Sequence, residues 1–464
     1  MHSLNDEKFL NDVFLTLKKY VSQNTLTTPV IKSSTPDEMN RLVPMLSSKG
    51  IDEKTFLNEL EFILDRSVRT NHPLFLNQLF GGADPLAIVG DFVATMLNPT
   101  MATFEVAPVL TVIEKRLVGE LLQMTGLNQG EGIMVTGGSN ANLLGLLCAR
   151  TDYNPSIRQI GFTHNNFRIY VSSEAHYSFD KAANITGLGT QNLILIPSNE
   201  KGEMIPEELE RIIAADIKEG LTPLMIGATL GTTVLGAFDP LSKIAKIAEK
   251  YKIWFHVDAA WGGAVLFTKN YAHLAQGLEH ADSITFDAHK TLGAPLITSF
   301  FLTKRAGILR ATTRGGGAEY LFHDEDRFEW DTGTYSLQCG RRADSLKLWF
   351  LWRMYGTDGL IKRTEYLMDL AQYAKEEVVK RKKFKLYHAH FLNVCFQVVP
   401  PEGQCINEYT QAIRQRVVTK GLAMVNYAER PDGTIFFRLV LPNYHTKKEH
   451  IDYLLDMIEN EVNS

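Results

Sequence analysis

The chain has 464 residues, of which 45% are hydrophobic and 22% are charged, with 34 glycines and 17 prolines. This composition is typical of globular proteins and excludes a fibrous repeat and a fully disordered chain. The 48 basic and 53 acidic residues give a net charge of −5, which is too small to indicate a polyanionic partner. We therefore expect no nucleic-acid partner, and we interpret the basic run at 380–383 as a solvated helix end.

The N-terminus and the cysteines bear on the location of the protein. Residues 1–8 contain acidic side chains and no apolar segment, so a signal peptide is not predicted. The longest stretch without charge, 221–238, is interrupted by Pro223 and three glycines, which makes it a poor membrane span. The four cysteines lack the spacing of metal ligands and are too few for a disulfide scaffold. We expect a cytoplasmic protein with no membrane contact and no bound metal.

The first two thirds of the chain begin with helices and continue with alternating elements. Apolar residues at helical spacing predict helices over 7–22 and 52–67, within a helical segment that extends to about residue 95. Beyond it, the predicted strands are 133–135, 168–172, 192–197, 224–229, 253–257 and 283–286. The predicted helices between them are 140–150, 177–186, 206–219 and 241–250. This alternation predicts an α/β fold with a mostly parallel central sheet that is covered on both faces.

The C-terminal region mixes long helices with strands at 393–399 and 435–440. It ends in a helix over 448–462 whose apolar residues form one stripe. The chain is therefore expected to have three parts. They are a helical N-terminal segment (1–95), a large α/β domain (96–345) and a smaller α+β C-terminal domain (346–464).

Two strands of the predicted sheet end in ionisable side chains. Asp258 follows the apolar run at 253–257, and Lys290 follows the run at 283–286. One βαβ crossover is expected between them, so both side chains should lie at the same edge of the sheet. Ligands of such sheets bind at the carboxyl ends of the strands. A structural ion pair explains this spacing equally well.

A glycine-rich turn lies before the helix that is predicted at 140–150. Residues 136–140 (TGGSN) follow a short apolar strand, and free backbone N–H groups at a helix start can bind a phosphate. The turn matches neither the Walker pattern nor the dinucleotide-binding pattern. A tight turn without a ligand is therefore the commoner explanation of this motif alone.

The three features together match the requirements of pyridoxal 5'-phosphate (PLP). A lysine can form a Schiff base with the aldehyde, an aspartate can keep the pyridine nitrogen protonated, and a cradle of N–H groups can hold the phosphate. His176 lies just after the predicted strand at 168–172, where an imidazole could stack on the cofactor ring. The pattern indicates a PLP-dependent enzyme.

Four motifs surround the residues named so far: TGGSN (136–140), GTTVLGAFDP (231–240), HVDAAWGG (256–263) and FDAHK (286–290). Together they resemble the group II PLP-dependent amino-acid decarboxylases. Four further motifs, HPLFLNQL (72–79), FEVAP (104–108), LQCGR (337–341) and FFR (436–438), are most similar to the branch of glutamate decarboxylase and cysteine sulfinic acid decarboxylase. The resemblance implies the type I PLP-dependent (aspartate aminotransferase-like) fold. It also implies an obligate homodimer with active sites at the subunit interface.

The resemblance assigns roles in cofactor binding. Lys290 matches the Schiff-base lysine, Asp258 the partner of the pyridine nitrogen, and His176 the histidine that stacks on the ring. The further cofactor-binding positions that it implies are Gly138, Ser139, Thr233 and His289. Asp287 departs from the family, because the animal enzymes commonly have asparagine three residues before the lysine.

The resemblance also assigns roles toward the substrate. Arg438 matches the arginine that receives the α-carboxylate, for which a planar, permanently charged guanidinium is suited. Gln78 matches a substrate-contacting glutamine. Tyr320, in the glycine-rich loop of 314–330, matches the tyrosine that protonates the substrate carbon after carbon dioxide leaves, and His176 is the alternative donor. The family usually draws this loop from the neighbouring subunit.

Phe80 bears on the choice of substrate. The glutamate enzymes resemble one another in having a small hydroxyl residue at this position, whereas the cysteine sulfinate and aspartate enzymes have a bulky aromatic residue. A phenyl ring shortens the pocket, which should disfavour glutamate by about 1–3 kcal/mol. We therefore expect a decarboxylase (a carboxy-lyase) of a small acidic amino acid, with aspartate or cysteine sulfinate first and glutamate second.

Other functions remain compatible with the sequence. The same cofactor site could decarboxylate another short polar amino acid such as 2,4-diaminobutyrate, or could support transamination. From a different class, the chain could be a catalytically silent binding protein with the PLP fold. The measured ratio of carbon dioxide to keto acid would separate decarboxylation from transamination.

Overall fold

The computed structural model describes residues 7–162, 166–316, 320–322 and 329–463. The contacts divide the chain into two units. The larger unit comprises residues 83–369 and 388–393, and the smaller unit comprises residues up to 82, 370–387 and those from 394 onward. The first 82 residues thus group with C-terminal residues, whereas the sequence predicted a separate segment ending near residue 95. The three-part domain division stays a prediction.

The strands extend over short, mostly buried segments. In chain order they are β1 (Phe75–Leu76), β2 (Glu131–Val135), β3 (Phe167–Ser172), β4 (Leu193–Ile196), β5 (Thr222–Thr229), β6 (Trp254–Ala259), β7 (Ser283–Asp287), β8 (Ser299–Thr303), β9 (Phe384–His390), β10 (Asn393–Val398), β11 (Met424–Glu429) and β12 (Ile435–Val440). The predicted strands correspond to β2–β7, β10 and β12, within a few residues at each end.

The helices alternate with the strands through most of the chain. In chain order they are α1 (Glu7–Ser22), α2 (Pro36–Leu42), α3 (Glu53–Arg66), α4 (Pro85–Leu97), α5 (Pro108–Met124), α6 (Gly138–Tyr153), α7 (Ile157–Ile160), α8 (Ser178–Ile185), α9 (Pro206–Lys218), α10 (Leu241–Tyr251), α11 (Ile308–Thr313), α12 (Ser345–Lys380), α13 (Ile406–Thr419) and α14 (Lys448–Asn463). Within α12, Gly356 has a φ of 64° and kinks the helix. None of the described helices is long and apolar enough to cross a membrane.

The larger unit contains a seven-stranded sheet with the order β2-β8-β7-β6-β5-β3-β4. The strands β3–β7 pair in parallel, and β8 runs antiparallel to both of its neighbours. The predicted α/β fold with a mostly parallel sheet is therefore confirmed. Strand β8 was not predicted, and its direction follows from the short segment after β7, because a parallel connection needs a dozen or more residues.

The connection between β6 and β7 differs from the expected βαβ crossover. Three 3₁₀ turns, at 262–267, 272–275 and 278–280, replace the helix. The first turn begins at Gly262, whose N–H donates to the Leu230 carbonyl at 2.7 Å. A Cβ atom at Gly262 would lie 2.3 Å from that carbonyl oxygen, so the chain passes here in a close approach that only glycine allows.

The core of the larger unit lies on both faces of this sheet. Phe255, Phe286, Phe300 and Phe301 on the central strands are all at most 2% exposed. Helix α6 packs across β7 and β8 through buried residues such as Leu144. Full burial of each such side chain contributes about 1.5–3 kcal/mol, so the sheet is a rigid support for the residues at its edge.

The smaller unit is built on a five-stranded sheet with the order β1-β11-β12-β10-β9. Helices α13 and α14 pack against each other, and α13 packs on β11 and β12. The predicted stripe of α14 is buried at Ile451, Leu454, Leu455 and Ile458, each 0% exposed. The described helices α1–α3, by contrast, contain no fully buried residue.

Candidate active site

A cavity of about 230 Å³ lies at the carboxyl edge of the seven-stranded sheet. Its lining residues are Gly138, Ser139, Asn142, His176, Tyr177, Thr229, Gly231, Thr233, Asp258, Ala260, Trp261, Asp287, His289 and Lys290. All seven residues that the sequence proposed for cofactor binding are among them. The expectation that Asp258 and Lys290 lie at the same edge of the sheet is therefore confirmed.

Asp258 is a buried carboxylate with two N–H donors. It pairs with Thr285 across β6 and β7, and it is 5% exposed. Its Oδ2 accepts a hydrogen bond from Asn142 Nδ2 at 2.8 Å, and its Oδ1 accepts one from the Ala260 backbone N–H at 3.0 Å. Charge-assisted bonds of this kind hold a carboxylate in one orientation.

The residues behind Asp258 continue this hydrogen-bond network. Asn142 Oδ1 accepts from Thr285 Oγ1 at 2.7 Å and lies 3.0 Å from His256 Nε2. His256 Nδ1 lies 2.8 Å from Ser283 Oγ. His256 is fully buried, and this burial lowers its pKa to about 4 despite the opposing charge of Asp258. The ring is therefore neutral at physiological pH.

Lys290 lies opposite a second carboxylate. Its Nζ is 3.4 Å from Asp287 Oδ2, and its side chain is 19% exposed toward the cavity. His289 Nε2 is 3.7 Å from the same oxygen, and its Nδ1 lies 3.2 Å from the Thr298 carbonyl. Burial lowers the pKa of His289, which the charge of Asp287 opposes. The amine of Lys290 is thus held at the mouth of the cavity by a buried acid.

His176 follows β3 and lines the cavity beside Asp258. Its Nδ1 accepts a hydrogen bond from the Ser178 backbone N–H at 3.3 Å. Burial lowers the pKa of His176, Asp258 raises it, and Lys290 lowers it further. The imidazole is therefore predominantly neutral near pH 7, and Nε2 carries its proton because Nδ1 is an acceptor.

The glycine turn forms the start of α6. Gly137 has a φ of 114°, which is a backbone region that favours glycine, and no side chain caps the helix. A Cβ atom at Gly138 would lie 2.8 Å from Asp287 Oδ2. The uncapped N–H groups of this 16-residue helix and the Ser139 hydroxyl can hold an anion here.

Comparison with known proteins decides the family. The model of the pyridoxal-dependent decarboxylase conserved domain matches residues 36–399, which is most of the chain. The chain belongs to the pyridoxal-dependent decarboxylase family. It is therefore a PLP-dependent amino-acid decarboxylase by family, that is, a carboxy-lyase, and the resemblance seen in the sequence is confirmed.

The relatives of this decarboxylase match it along their whole length. Cysteine sulfinic acid decarboxylase of Mus musculus is 37% identical over 98% of this chain and 95% of its own length. Acidic amino acid decarboxylase GADL1 of Bos taurus is 36% identical over 98% of this chain and 90% of its own length. The crystal structure of mouse CSAD is 35% identical, covers 100% of this chain and 99% of its own, and superposes with a TM-score of 0.95.

The cavity of the decarboxylase fits the cofactor of its family. Among the described residues, Thr229 Oγ1 and Asp287 Oδ1 are buried without a hydrogen-bond partner, and both side chains line the cavity. Buried polar atoms of this kind normally have a partner, so the cavity is built for a polar ligand. The protein groups match the parts of PLP one by one. The amine suits the aldehyde, the buried acid suits the pyridine nitrogen, the imidazole suits the aromatic ring, and the anion-binding helix start suits the phosphate.

The three residues proposed for the substrate lie in the smaller unit. Arg438, on β12, is 8% exposed and donates from Nη2 to the Asn77 carbonyl at 2.9 Å. Phe80 is half-buried, and its ring centroid lies 5.8 Å from that of Phe75. Gln78 is exposed. Their roles stay predictions.

Tyr320 does not line the cavity. It is 71% exposed, and the neighbouring residues 317–319 and 323–328 of its loop lie outside the described residues. Its role as a proton donor stays a prediction. Among the described residues, no group of three His, Cys, Asp or Glu side chains could hold a metal ion.

Sequence reasoning missed the residues that support Asp258. Asn142 is 116 positions away from Asp258 in the chain, and Thr285 comes from the neighbouring strand. His256 stands in the motif that includes Asp258, so its side chain points to the same face of β6, two residues apart. That alternation was the signal available in the sequence.

Proposed function

We propose that the protein decarboxylates a short acidic L-amino acid at the α-carbon, with cysteine sulfinate or aspartate preferred over glutamate. The observation that carries this proposal is the cavity in which Lys290, Asp258 and His176 meet. The substrate class is supported by the relatives, which are named cysteine sulfinic acid decarboxylase and acidic amino acid decarboxylase.

The bound cofactor supplies an electron-accepting ring and an aldehyde that takes up amines. Lys290 is the amine that would hold this aldehyde in the absence of substrate. Asp258, whose carboxylate lines the cavity, would hold a proton on the pyridine nitrogen. The start of α6 and Ser139 would bind the phosphate, and Thr233 and His289 would complete the cofactor site.

His176 lies against the proposed ring position as a neutral imidazole. It covers one face of the cofactor, which excludes water from that face. A proton is needed at the α-carbon after carbon dioxide leaves, and His176 Nε2–H can donate it within the cavity. Tyr320 is the second candidate donor, and it would have to move into the site from its exposed position.

The substrate carboxylate is proposed to bind Arg438. Burial lowers the pKa of its guanidinium. The ordinary pKa of this group is so high that the side chain remains a buried cation. A buried cation is stabilised by an anionic ligand. The ring of Phe80 packs against that of Phe75 in a tilted arrangement, and its bulk is proposed to shorten the pocket for the acidic side chain.

The test is the release of carbon dioxide from aspartate, cysteine sulfinate, glutamate and 2,4-diaminobutyrate with added PLP. We expect the two shorter acids to give the highest kcat/KM. Phe80→Ser should shift the preference toward glutamate, by a discrimination of about 1–3 kcal/mol, because it lengthens the pocket. A wild-type preference for glutamate would refute the proposed role of Phe80.

Lys290→Ala tests the cofactor assignment. Borohydride should fix the cofactor to the wild-type chain and not to this variant, and turnover should be lost. Lys290→Arg is the matched control, because it keeps a cation near Asp287 and lacks a reactive amine. Normal turnover by Lys290→Ala would overturn the assignment.

We also propose that the chain forms a homodimer with shared active sites. Helix α4 exposes Val89, Phe92 and Met96, of which Met96 is 85% exposed, and such a patch indicates a protein interface. Light scattering should give the mass of two chains, and Phe92→Glu together with Met96→Glu should give that of one. A monomeric, active wild-type protein would contradict this.

A further inference from the structure

We propose that Asn142 positions Asp258 and that His256 positions Asn142, through one directed chain of hydrogen bonds. The chain runs from Trp254 through Ser283, His256 and Asn142 to Asp258. Its effect is to keep the Asp258 carboxylate aimed into the cavity. This inference rests on the proposed function, because Asp258 matters in this way only as the partner of a pyridine nitrogen.

The carboxylate of Asp258 determines the orientation of Asn142. An ionised carboxylate only accepts hydrogen bonds, so the amide nitrogen of Asn142 must face it. Asn142 Nδ2 also donates to Ser178 Oγ at 2.9 Å, which uses the second N–H. The amide oxygen of Asn142 therefore points away from the cavity, toward His256.

The orientation of Asn142 in turn determines the protonation of His256. The amide oxygen only accepts, so His256 Nε2, at 3.0 Å, carries the proton and donates it. Nδ1 of the neutral ring is then an acceptor, and the Ser283 hydroxyl donates to it. Ser283 Oγ accepts from Trp254 Nε1 at 2.9 Å, which can only donate. Every proton along the chain is thus directed toward Asp258.

Helix α6 holds this series of hydrogen bonds in place. Asn142 and Gly145 are three residues apart and lie on one face of the helix. A Cβ atom at Gly145 would lie 2.7 Å from His256 Nδ1, so the imidazole packs directly on the helix backbone. The same helix begins at Gly138 in the cavity wall. One rigid element therefore supports both the phosphate end and the Asp258 end of the cofactor site.

The side chains in this series of hydrogen bonds are buried, which strengthens the bonds. Asn142 is 1% exposed, and His256 and Ser283 are 0% exposed. In a low-dielectric interior, hydrogen bonds in series polarise one another, and a lost donor is not replaced by water. Removal of the Asn142 N–H should therefore release the Asp258 carboxylate from its orientation and weaken its hold on a proton at the cofactor nitrogen.

The test uses PLP labelled with ¹⁵N at the pyridine nitrogen, reconstituted into the full-length protein. Asn142→Leu keeps the number and branching of the side-chain heavy atoms and removes its hydrogen-bond donors. Its ¹⁵N resonance should move toward the unprotonated value. At the preferred substrate, kcat should fall about tenfold for each unit by which the pKa of that nitrogen falls, with little change in KM.

A matched pair at the next position covers the case in which Asn142→Leu does not fold. His256→Gln can still donate a hydrogen bond to Asn142 Oδ1, whereas His256→Leu cannot. His256→Leu should shift the ¹⁵N resonance, and His256→Gln should restore it toward the wild-type value. Leu146→Ala is the control, because it removes buried volume from α6 at a side chain that makes none of these hydrogen bonds, and it should leave the resonance unchanged.

The ¹⁵N shift separates this inference from the proposed function. A wild-type shift in Asn142→Leu or in His256→Leu, or an equal change in Leu146→Ala, would overturn the positioning role. A protein that binds PLP, shows the expected shifts and decarboxylates none of the tested amino acids would instead overturn the proposed function.

Discussion

Asp258 and Asp287 occupy similar places at the ends of the neighbouring parallel strands β6 and β7. Both are at most 5% exposed, and both line the cavity. Asp258 has N–H donors on both oxygens. Asp287 has a buried Oδ1 without a partner among the described residues, and its Oδ2 faces the amine of Lys290 at 3.4 Å.

The difference shows that position on the sheet does not decide the role of a carboxylate. Asp258 is oriented by donors from α6 and from the turn that follows its own strand. Asp287 depends on the amine of Lys290, which is the group proposed to react. Asp258 is therefore suited to act on a bound cofactor, and Asp287 is suited to hold the lysine beforehand.

The largest expected effect is that of Asp258→Asn. The amide keeps the shape of the side chain and cannot hold a proton on the pyridine nitrogen, so kcat should fall by about 10²–10⁴-fold, the range for a lost proton-transfer function. Steady-state kinetics and the binding of PLP measure this. An equal reduction of kcat in Asp258→Asn and Asp287→Asn would show that the two carboxylates do not differ in role.

The second effect is a loss of protein stability in acid, caused by His256 behind Asp258. The pKa of His256 is lowered from 6.5 to about 4 in the folded chain. Between these two pH values His256 is therefore protonated in the unfolded chain and neutral in the folded chain. The free energy of unfolding should therefore fall by up to about 3 kcal/mol between pH 6.5 and 4 from this group alone.

Urea titrations across this pH range measure the acid effect. His256→Gln is the control, because glutamine does not titrate. The free energy of unfolding of this variant should lack the fall between pH 6.5 and 4 that His256 causes in the wild type. Equal slopes in the wild type and the variant would show that His256 is not the source.

The smallest expected effect is that of Asp287→Asn. The carboxylate lies beside Gly138 at the anion-binding end of α6, where it repels a phosphate. Its removal should tighten PLP binding by about 1 kcal/mol, or roughly fivefold in Kd. Fluorescence titration of PLP measures this. Weaker PLP binding by the variant would mean that Asp287 supports the cofactor directly.

Much of the cavity could be predicted from sequence, because its residues follow strands that are visible as short apolar runs. Asp258, Lys290 and His176 each stand within a few residues of such a run, and the glycines of 137–138 stand between a strand and a helix. Parallel strands bring their carboxyl ends to one edge, so local patterns are sufficient to assemble these residues.

Other features could not be predicted in this way. The crossover between β6 and β7 uses 3₁₀ turns, because a close backbone contact at Gly262 replaces a helix. Strand β8 is as long as β7 but follows it without an intervening helix, so the alternation of strands and helices did not indicate it. The grouping of the first 82 residues with the C-terminal residues depends on contacts between parts that are distant in sequence.

The amino-acid sequence by itself determined the family and the cofactor, and it supplied the residues that are proposed to react with that cofactor, since these are chemical types at recognisable positions. Only the tertiary structure decided which of the two acids is oriented by N–H donors and which one faces the lysine. The reason is that a carboxylate acquires its properties from the donors and charges around it. In this protein the decisive donor, Asn142, reaches Asp258 across 116 positions of the chain.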